Sequence, residues 1–395
     1  MRTDIGFFFV ILLFLGDVFW INTIKISQLG LIFLVWMIYR DNRVISKKYL
    51  PYIGLIICYN LVLNLSNLIV FWNSMMKISL FIILVLCAFD MKRNLYQKLF
   101  GYYSSLAFFV IAIWWLQLLA FIVSSNSPLN LELVYDSSLW SYSGNLHMVG
   151  SLPRLNSFYS EPSYLGLFIL PLFASKLKLK EILPGLIVLI PLLMTFSLNV
   201  YVGVGVLFLC NLRWNYQTIL VGVSVLILTM TFGLHEYILH RLSIDSRHVD
   251  LTLLLYIFHF RTYLLDWQSF IFGYGFDNYF LLFQDWRQNF ESSNMISIAK
   301  TIPDDDLMLQ SGPLLIIRLI VELGYGLVLA FAFGLRKYLF VNSYWIYALI
   351  GLSLRDGDYL RPFFLFFLIM HISNSIIYHK QINNERDNTV RTVQS

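Results

Sequence analysis

The chain is 395 residues long, 58% hydrophobic and 17% aromatic, with only 13% charged residues and a formal net charge of +5. Soluble domains are about half apolar and about a quarter charged, so this composition excludes an ordinary soluble domain. The basic residues stand in short clusters between apolar blocks, which is the topology signal of a membrane protein rather than a nucleic-acid surface.

The N-terminal stretch "MRTDIGFFFVILLFLGDVFW" has a charged start, a long apolar run and no small-x-small cleavage site. It reads as a retained first span. About twelve apolar segments follow one another at 5–24, 27–39, 50–71, 75–89, 99–123, 162–175, 182–198, 200–212, 218–236, 312–334, 338–354 and 360–378. Several are shorter than the roughly 20 residues a helix needs to cross a bilayer, and 182–212 is the least clearly divided. The expected fold is an all-α polytopic membrane protein of about twelve spans, with 1–395 a single integral membrane domain.

A cytoplasmic N-terminus puts 1–4, 40–48, 90–98, 176–181, 211–217, 336–337 and a tail at 379–395 on the inner side. These hold well over half of the 28 lysines and arginines. The asymmetry follows the positive-inside rule along the whole chain and puts both termini in the cytoplasm. Cys58, Cys87 and Cys210 all lie in apolar blocks. An odd count without a C-x-x-C argues against a disulfide framework and against a metal site.

On this topology two large loops are extracytoplasmic, 124–161 and 237–311. Connections of that length are usually functional. The second contains "LTLLLYIFHF" at 251–260, too short to span and therefore a short interfacial or re-entrant helix. Trp267 and Trp286 in the same loop are typical of residues held at headgroup level.

The polar residues admit two readings each. In "SLPRLNSFYSEPSYLGLFILP" (151–171), Pro162 fits the first turn of a helix, so Glu161 stands at or beside its N-cap. Arg154 and Glu161 are then either an interfacial anchor and a cap, or the mouth of a site. In the second loop, Arg247 and Arg261 precede "GYG" at 273–275. Guanidinium with glycine-rich backbone can hold phosphate oxygens, and an interfacial arginine can equally well snorkel.

Arg318 and Glu322 are four apart in the tenth segment, on one helix face, and can pair or line a cavity for an anionic substrate. "RDGDYLR" (355–361) brings Arg355 and Tyr359 to the outer side, as an ordinary turn or as a third arginine cluster. Asn60, Asn64 and Asn67 form a polar stripe suited to interhelical hydrogen bonding. Metal ligation is poorly served: His235 and His240 are five apart, and the acids at 304–306 read as a solvated loop. No Ser/His/Asp arrangement and no Walker-type motif is readable.

"RLNSFYSEPSYLG" (154–166) resembles the arginine–phenylalanine–glutamate–proline pattern of bacterial O-antigen and exopolysaccharide (Wzy-type) polymerases, through Arg154, Phe158, Glu161 and Pro162. Ser157 stands where that family often has glycine. The long loop with "FGYGFDNY", a following "ELGYG" and a late "RDGDYLRP" look like the later part of the same family, in the same order. The first 120 or so residues match only as generic spans.

The resemblance implies a multi-span (GT-C-like), metal-independent glycosyltransferase of the bacterial inner membrane, without cofactor. It would join undecaprenyl-pyrophosphate-linked repeat units at the outer face. Membrane lipid, a flippase and a chain-length regulator are the partners implied, with no nucleic acid. Carried over, Arg154 and Arg261 would hold the pyrophosphate, with Arg247, Arg318, Arg355 and Tyr359 also binding substrate, and Glu161 would be the candidate base. The nearest rival is the O-antigen ligase, which typically has a histidine just ahead of the span that follows the long loop. Here that segment reads "TIPDDDLMLQSG" (301–312) and has none. A lipid-linked oligosaccharide flippase is the rival of a different class. It would need charges spread through its spans.

Overall fold

The computed structural model of the chain describes residues 5–15, 20–21, 24–42, 51, 54, 57–58, 86, 88–124, 148–149, 152–153, 155, 157, 162–211, 271, 273, 315–339, 341–355 and 362–394. Among the described residues the chain is helical, apart from two antiparallel pairs of two-residue strands.

Helix α1 (Ile5–Leu15) is wholly apolar. Gly16 and Asp17 follow it in the sequence, both poor helix formers. The single span expected over 5–24 is therefore divided. Strand β1 (Trp20–Ile21) pairs with β2 (Ile24–Lys25), Trp20 opposite Lys25, and α2 (Ile26–Asn42) returns against α1. Helix α3 (Arg93–Ser124) has 32 residues, about 48 Å at 1.5 Å per residue.

A second hairpin, β3 (Met148–Val149) with β4 (Leu152–Pro153), leads towards α4 (Pro162–Lys178). That helix starts on the proline, whose fixed φ and missing N–H suit a first position. Lys176 and Lys178 close its last turn, where cations favour the helix dipole. Helices α5 (Ile182–Leu193) and α6 (Leu198–Asn211) divide the 182–212 stretch five residues earlier than the hydropathy pattern suggests. Helices α7 (Leu315–Leu339), α8 (Ile346–Arg355) and α9 (Pro362–Gln394) complete the chain. Helix α9 runs on through residues 379–394, most of the stretch expected as a tail.

Among the described residues two helices, Arg93–Val123 and Pro362–Gln381, are long and apolar enough to cross a membrane. Leu183–Leu193 and Asn199–Cys210 are shorter apolar helices. Cys58 and Cys210 are free and exposed, and Cys87 lies outside the described residues.

The core is aromatic. Phe14 of α1 packs on Phe168 of α4 at 4.7 Å, and Tyr103 of α3 on Trp345 at 4.8 Å, with Phe363, Phe366 and Phe367 of α9 closing the cluster. Offset and edge-on rings at these separations add to the area they bury. Helices α4, α6 and α8 approach closely through Gly166, Gly203 and Gly351. A Cβ on Gly203 would stand 2.9 Å from the Tyr347 carbonyl oxygen, and one on Gly351 2.9 Å from that of Asn199. Small residues at helix contacts let apolar helices meet backbone to backbone.

One group of polar residues fastens the helices where α4 ends and α8 begins. Lys178 Nζ donates to the Asn342 carbonyl and Oδ1, each at 2.8 Å, and the Trp345 indole donates to the Tyr96 hydroxyl at 3.0 Å. Ser343 Oγ meets His371 Nδ1, and Ser373 Oγ donates to the Ala88 carbonyl at 2.9 Å. The bonds of Asn342, Ser343 and Trp345 tie α4, α9 and α3 to the α7–α8 connection, and that of Ser373 ties α9 to Ala88 ahead of α3.

Candidate functional site

Leu155 and Ser157, between β4 and α4, are buried, and Ser157 is bonded to α3. Ser157 takes φ +54°, the left-handed region that costs an L-residue roughly 1–2 kcal/mol. Three hydrogen bonds hold it there. Its N–H donates to Gln117 Oε1 at 2.9 Å, its Oγ donates to the Val110 carbonyl at 3.0 Å, and Gln117 Nε2 donates to the Ser157 carbonyl at 3.5 Å. Gln117 is 4% exposed and Ser157 3%. A glutamine in the middle of "IAIWWLQLLAF" is thus explained as the group that satisfies a non-helical backbone laid against an apolar helix.

Trp114 lies on the same face of α3, four residues after Val110 and three before Gln117. It is 0% exposed, and its indole N–H is the one buried side-chain polar group without a hydrogen-bond partner among the described residues. Its neighbour Trp115 donates to the Ile187 carbonyl of α5.

The second polar focus is in α7. Arg318 Nε donates to Glu322 Oε1 at 2.8 Å, the i, i+4 pair that the spacing allows. The side chains are 11% and 0% exposed. Two residues later the helix breaks: Gly324 has φ +74° and ψ +159°. Such a residue interrupts the i→i−4 ladder, which an apolar surrounding tolerates only where other protein or a wet cavity covers the gap.

Gly273 covers it. Its φ is +71°, and a Cβ there would lie 2.5 Å from both the Glu322 carbonyl oxygen and the Gly324 nitrogen. The first glycine of "GYG" at 273–275 is therefore pressed onto the first glycine of "GYG" at 324–326. The contact joins the 237–311 loop to the helix that carries the ion pair.

Of the residues the sequence singles out, the structure places Arg318 in this buried pair and Arg355 as the last residue of α8. The Arg355 side chain lies outside what is described, as do Arg154, Glu161, Arg247, Arg261 and Tyr359. Arg154 is flanked by β4 and by the buried Leu155, and Pro162, the residue after Glu161, opens α4. The Asn60, Asn64 and Asn67 stripe, His235, His240 and the acids at 304–306 also lie outside the described residues. Among the described residues no group of three or more histidines, cysteines or acids is placed to hold a metal.

Sequence reasoning missed Gln117, Trp114 and the Gly273–Gly324 contact. For Gln117 the signal was present, a lone amide in a long apolar run. The glycine contact had no sequence signal beyond the repeated tripeptide. The chain matches no protein-family model, no curated protein and no solved structure.

Proposed function

We propose that the chain is an inner-membrane glycosyltransferase of the O-antigen or exopolysaccharide polymerase kind. In this reading about twelve spans cross the bacterial inner membrane, both termini are cytoplasmic, and the 124–161 and 237–311 loops face outward. Undecaprenyl-pyrophosphate-linked repeat units are joined there without metal or cofactor, with membrane lipid, a flippase and a chain-length regulator as partners.

The observation that carries the reading is the left-handed backbone of Ser157. It falls at the position where the resembled family often has glycine, and glycine adopts that conformation without strain. A second support is the break at Gly324, inside the "ELGYG" that contributes to the resemblance, with the loop's own "GYG" seated on it.

The chemistry follows from charge. Cleaving a sugar–pyrophosphate bond builds negative charge on the departing diphosphate. Fixed guanidinium donors in a low-dielectric setting stabilise that charge, and such preorganised groups are usually the largest single contribution to a rate. In this proposal Arg154 and Arg261 hold the diphosphate, with Arg247, Arg318, Arg355 and Tyr359 around the glycan or its phosphates. Glu161 is the carboxylate offered to the attacking hydroxyl.

A deletion strain tests the reading through the gel pattern of its surface glycan. Loss of the ladder with a single repeat left on the core is the expected result. Loss of every repeat, with lipid-linked polymer accumulating, identifies a ligase instead. On restoring the strain, Arg154→Lys is expected to fail along with Arg154→Ala, because an ammonium cannot make the bidentate contact. A normal ladder from the alanine form removes Arg154 from the site.

A further inference from the structure

Gln117 makes two hydrogen bonds to the backbone of one residue. It accepts from the Ser157 N–H at 2.9 Å and donates to the Ser157 carbonyl at 3.5 Å. An amide used in this way takes both main-chain polar groups of a single residue, so it fixes a backbone conformation as well as a position. The conformation it fixes is left-handed, with φ +54°. The Ser157 hydroxyl adds a third bond, to the Val110 carbonyl about two turns back on the same helix. That helix, α3, is itself set in the aromatic core through the buried Tyr103 and through the bond between Tyr96 and Trp345. Ser157 is therefore indexed to a rigid element. A connection can pack on an apolar helix without strain, and a strained residue persists where the course of the chain is itself needed.

The course in question is that of residues 154–161. Leu155 is buried, Pro162 opens α4, and Ser157 is the pinned point between them. Arg154 stands three residues before it and Glu161 four after it, within about 11 and about 14 Å of fully extended chain. We propose that Gln117 is a positioning residue for the glycosyl transfer: by holding Ser157 it sets the path of the connection that carries Arg154 and Glu161. The inference rests on the polymerase reading for the roles of those two side chains. Gln117 itself touches no substrate. Supporting geometry of this kind matters to a rate, because misplacing a reacting group by about 1 Å can cost roughly a hundredfold.

The test reads the rate per folded molecule. Full-length protein is reconstituted in liposomes with lipid-linked repeat unit extracted from the deletion strain, and kcat and KM for chain growth are measured beside the melting temperature. Gln117→Met keeps the length of the side chain and removes both backbone bonds. Its kcat is expected to fall between about tenfold and about a hundredfold. Ser373→Ala removes a buried bond to Ala88, beyond the opposite end of α3. It is expected to lower the melting temperature and keep the wild-type kcat. Adding Ser157→Gly to Gln117→Met is expected to raise kcat again by at least about threefold, because glycine enters the left-handed region without strain. The melting temperature should change little in that step, since the main-chain groups of residue 157 stay unpaired.

Should the methionine variant not fold, Gln117→Glu keeps the acceptor for the Ser157 N–H, loses the donor to its carbonyl and carries the same comparison. A wild-type kcat in the variant that folds overturns the proposal and leaves the polymerase reading standing. So does an equal loss of kcat in Ser373→Ala, which would tie the rate to stability alone. A loss that Ser157→Gly leaves untouched overturns it as well, because Gln117 would then act on something other than the Ser157 backbone. A wild type that elongates no repeat unit fails before any variant is compared, and overturns the polymerase reading together with the role given to Gln117.

Discussion

Among the described residues, two groups of buried polar side chains are built on opposite principles. Around Asn342 and Trp345 the donors find acceptors: Lys178 to Asn342, Trp345 to Tyr96 and Ser373 to Ala88. Around Ser157 one residue is held in a left-handed conformation, and the neighbouring Trp114 N–H has no partner among the described residues. A fully satisfied buried network rigidifies the structure that contains it, whereas strain and missing partners persist where something else selects for them. The first group fastens helices to one another, and the second holds a non-helical backbone against an apolar helix.

The largest expected effect tests the scaffold side. Trp345→Ala empties a fully buried position and removes the bond to Tyr96. Loss of about 3–5 kcal/mol is expected, read as a melting temperature far below wild type or as failure to accumulate. A variant that melts normally would show that this cluster is not what holds the helices.

Glu322→Ala comes next. It removes the carboxylate from a largely buried ion pair, for a loss of about 3–5 kcal/mol. The double replacement Arg318→Met with Glu322→Leu is expected to recover most of that stability, since an apolar pair of similar volume fills the same space. On the polymerase reading, a double variant that folds but makes no polymer gives the pair a role beyond packing. If it makes normal polymer, Arg318 leaves the list of substrate ligands.

Gly273→Ala separates function from stability. Its Cβ would strike backbone atoms at Glu322 and Gly324, so the loop must lift from the α7 break. On the polymerase reading a fall in polymer of about tenfold is expected, with little change in melting temperature, because the contact is local. Ser157→Gly is the mildest. It relieves left-handed strain and loses one side-chain hydrogen bond, two terms of about 1 kcal/mol that nearly cancel. Ser157→Val has no such compensation and should melt clearly lower than the glycine form, as a thermal series of the three proteins would reveal.

Composition and apolar block structure alone determined the helical class, because charge-poor runs of this kind leave the backbone no partner but itself. Local chemistry also marked the start of α4 at Pro162, through the fixed φ of proline, and the Arg318–Glu322 pair, through the i, i+4 geometry of a helix. These are short-range facts, set within one or two turns of chain. Only the tertiary structure decided that Gln117 answers Ser157 from 40 residues away and that Gly273 closes the break at Gly324. Those contacts join segments far apart in sequence, where no periodicity carries information. The buried N–H of Trp114 is visible only once its surroundings are assembled, because being unsatisfied is a property of the neighbours and not of the residue.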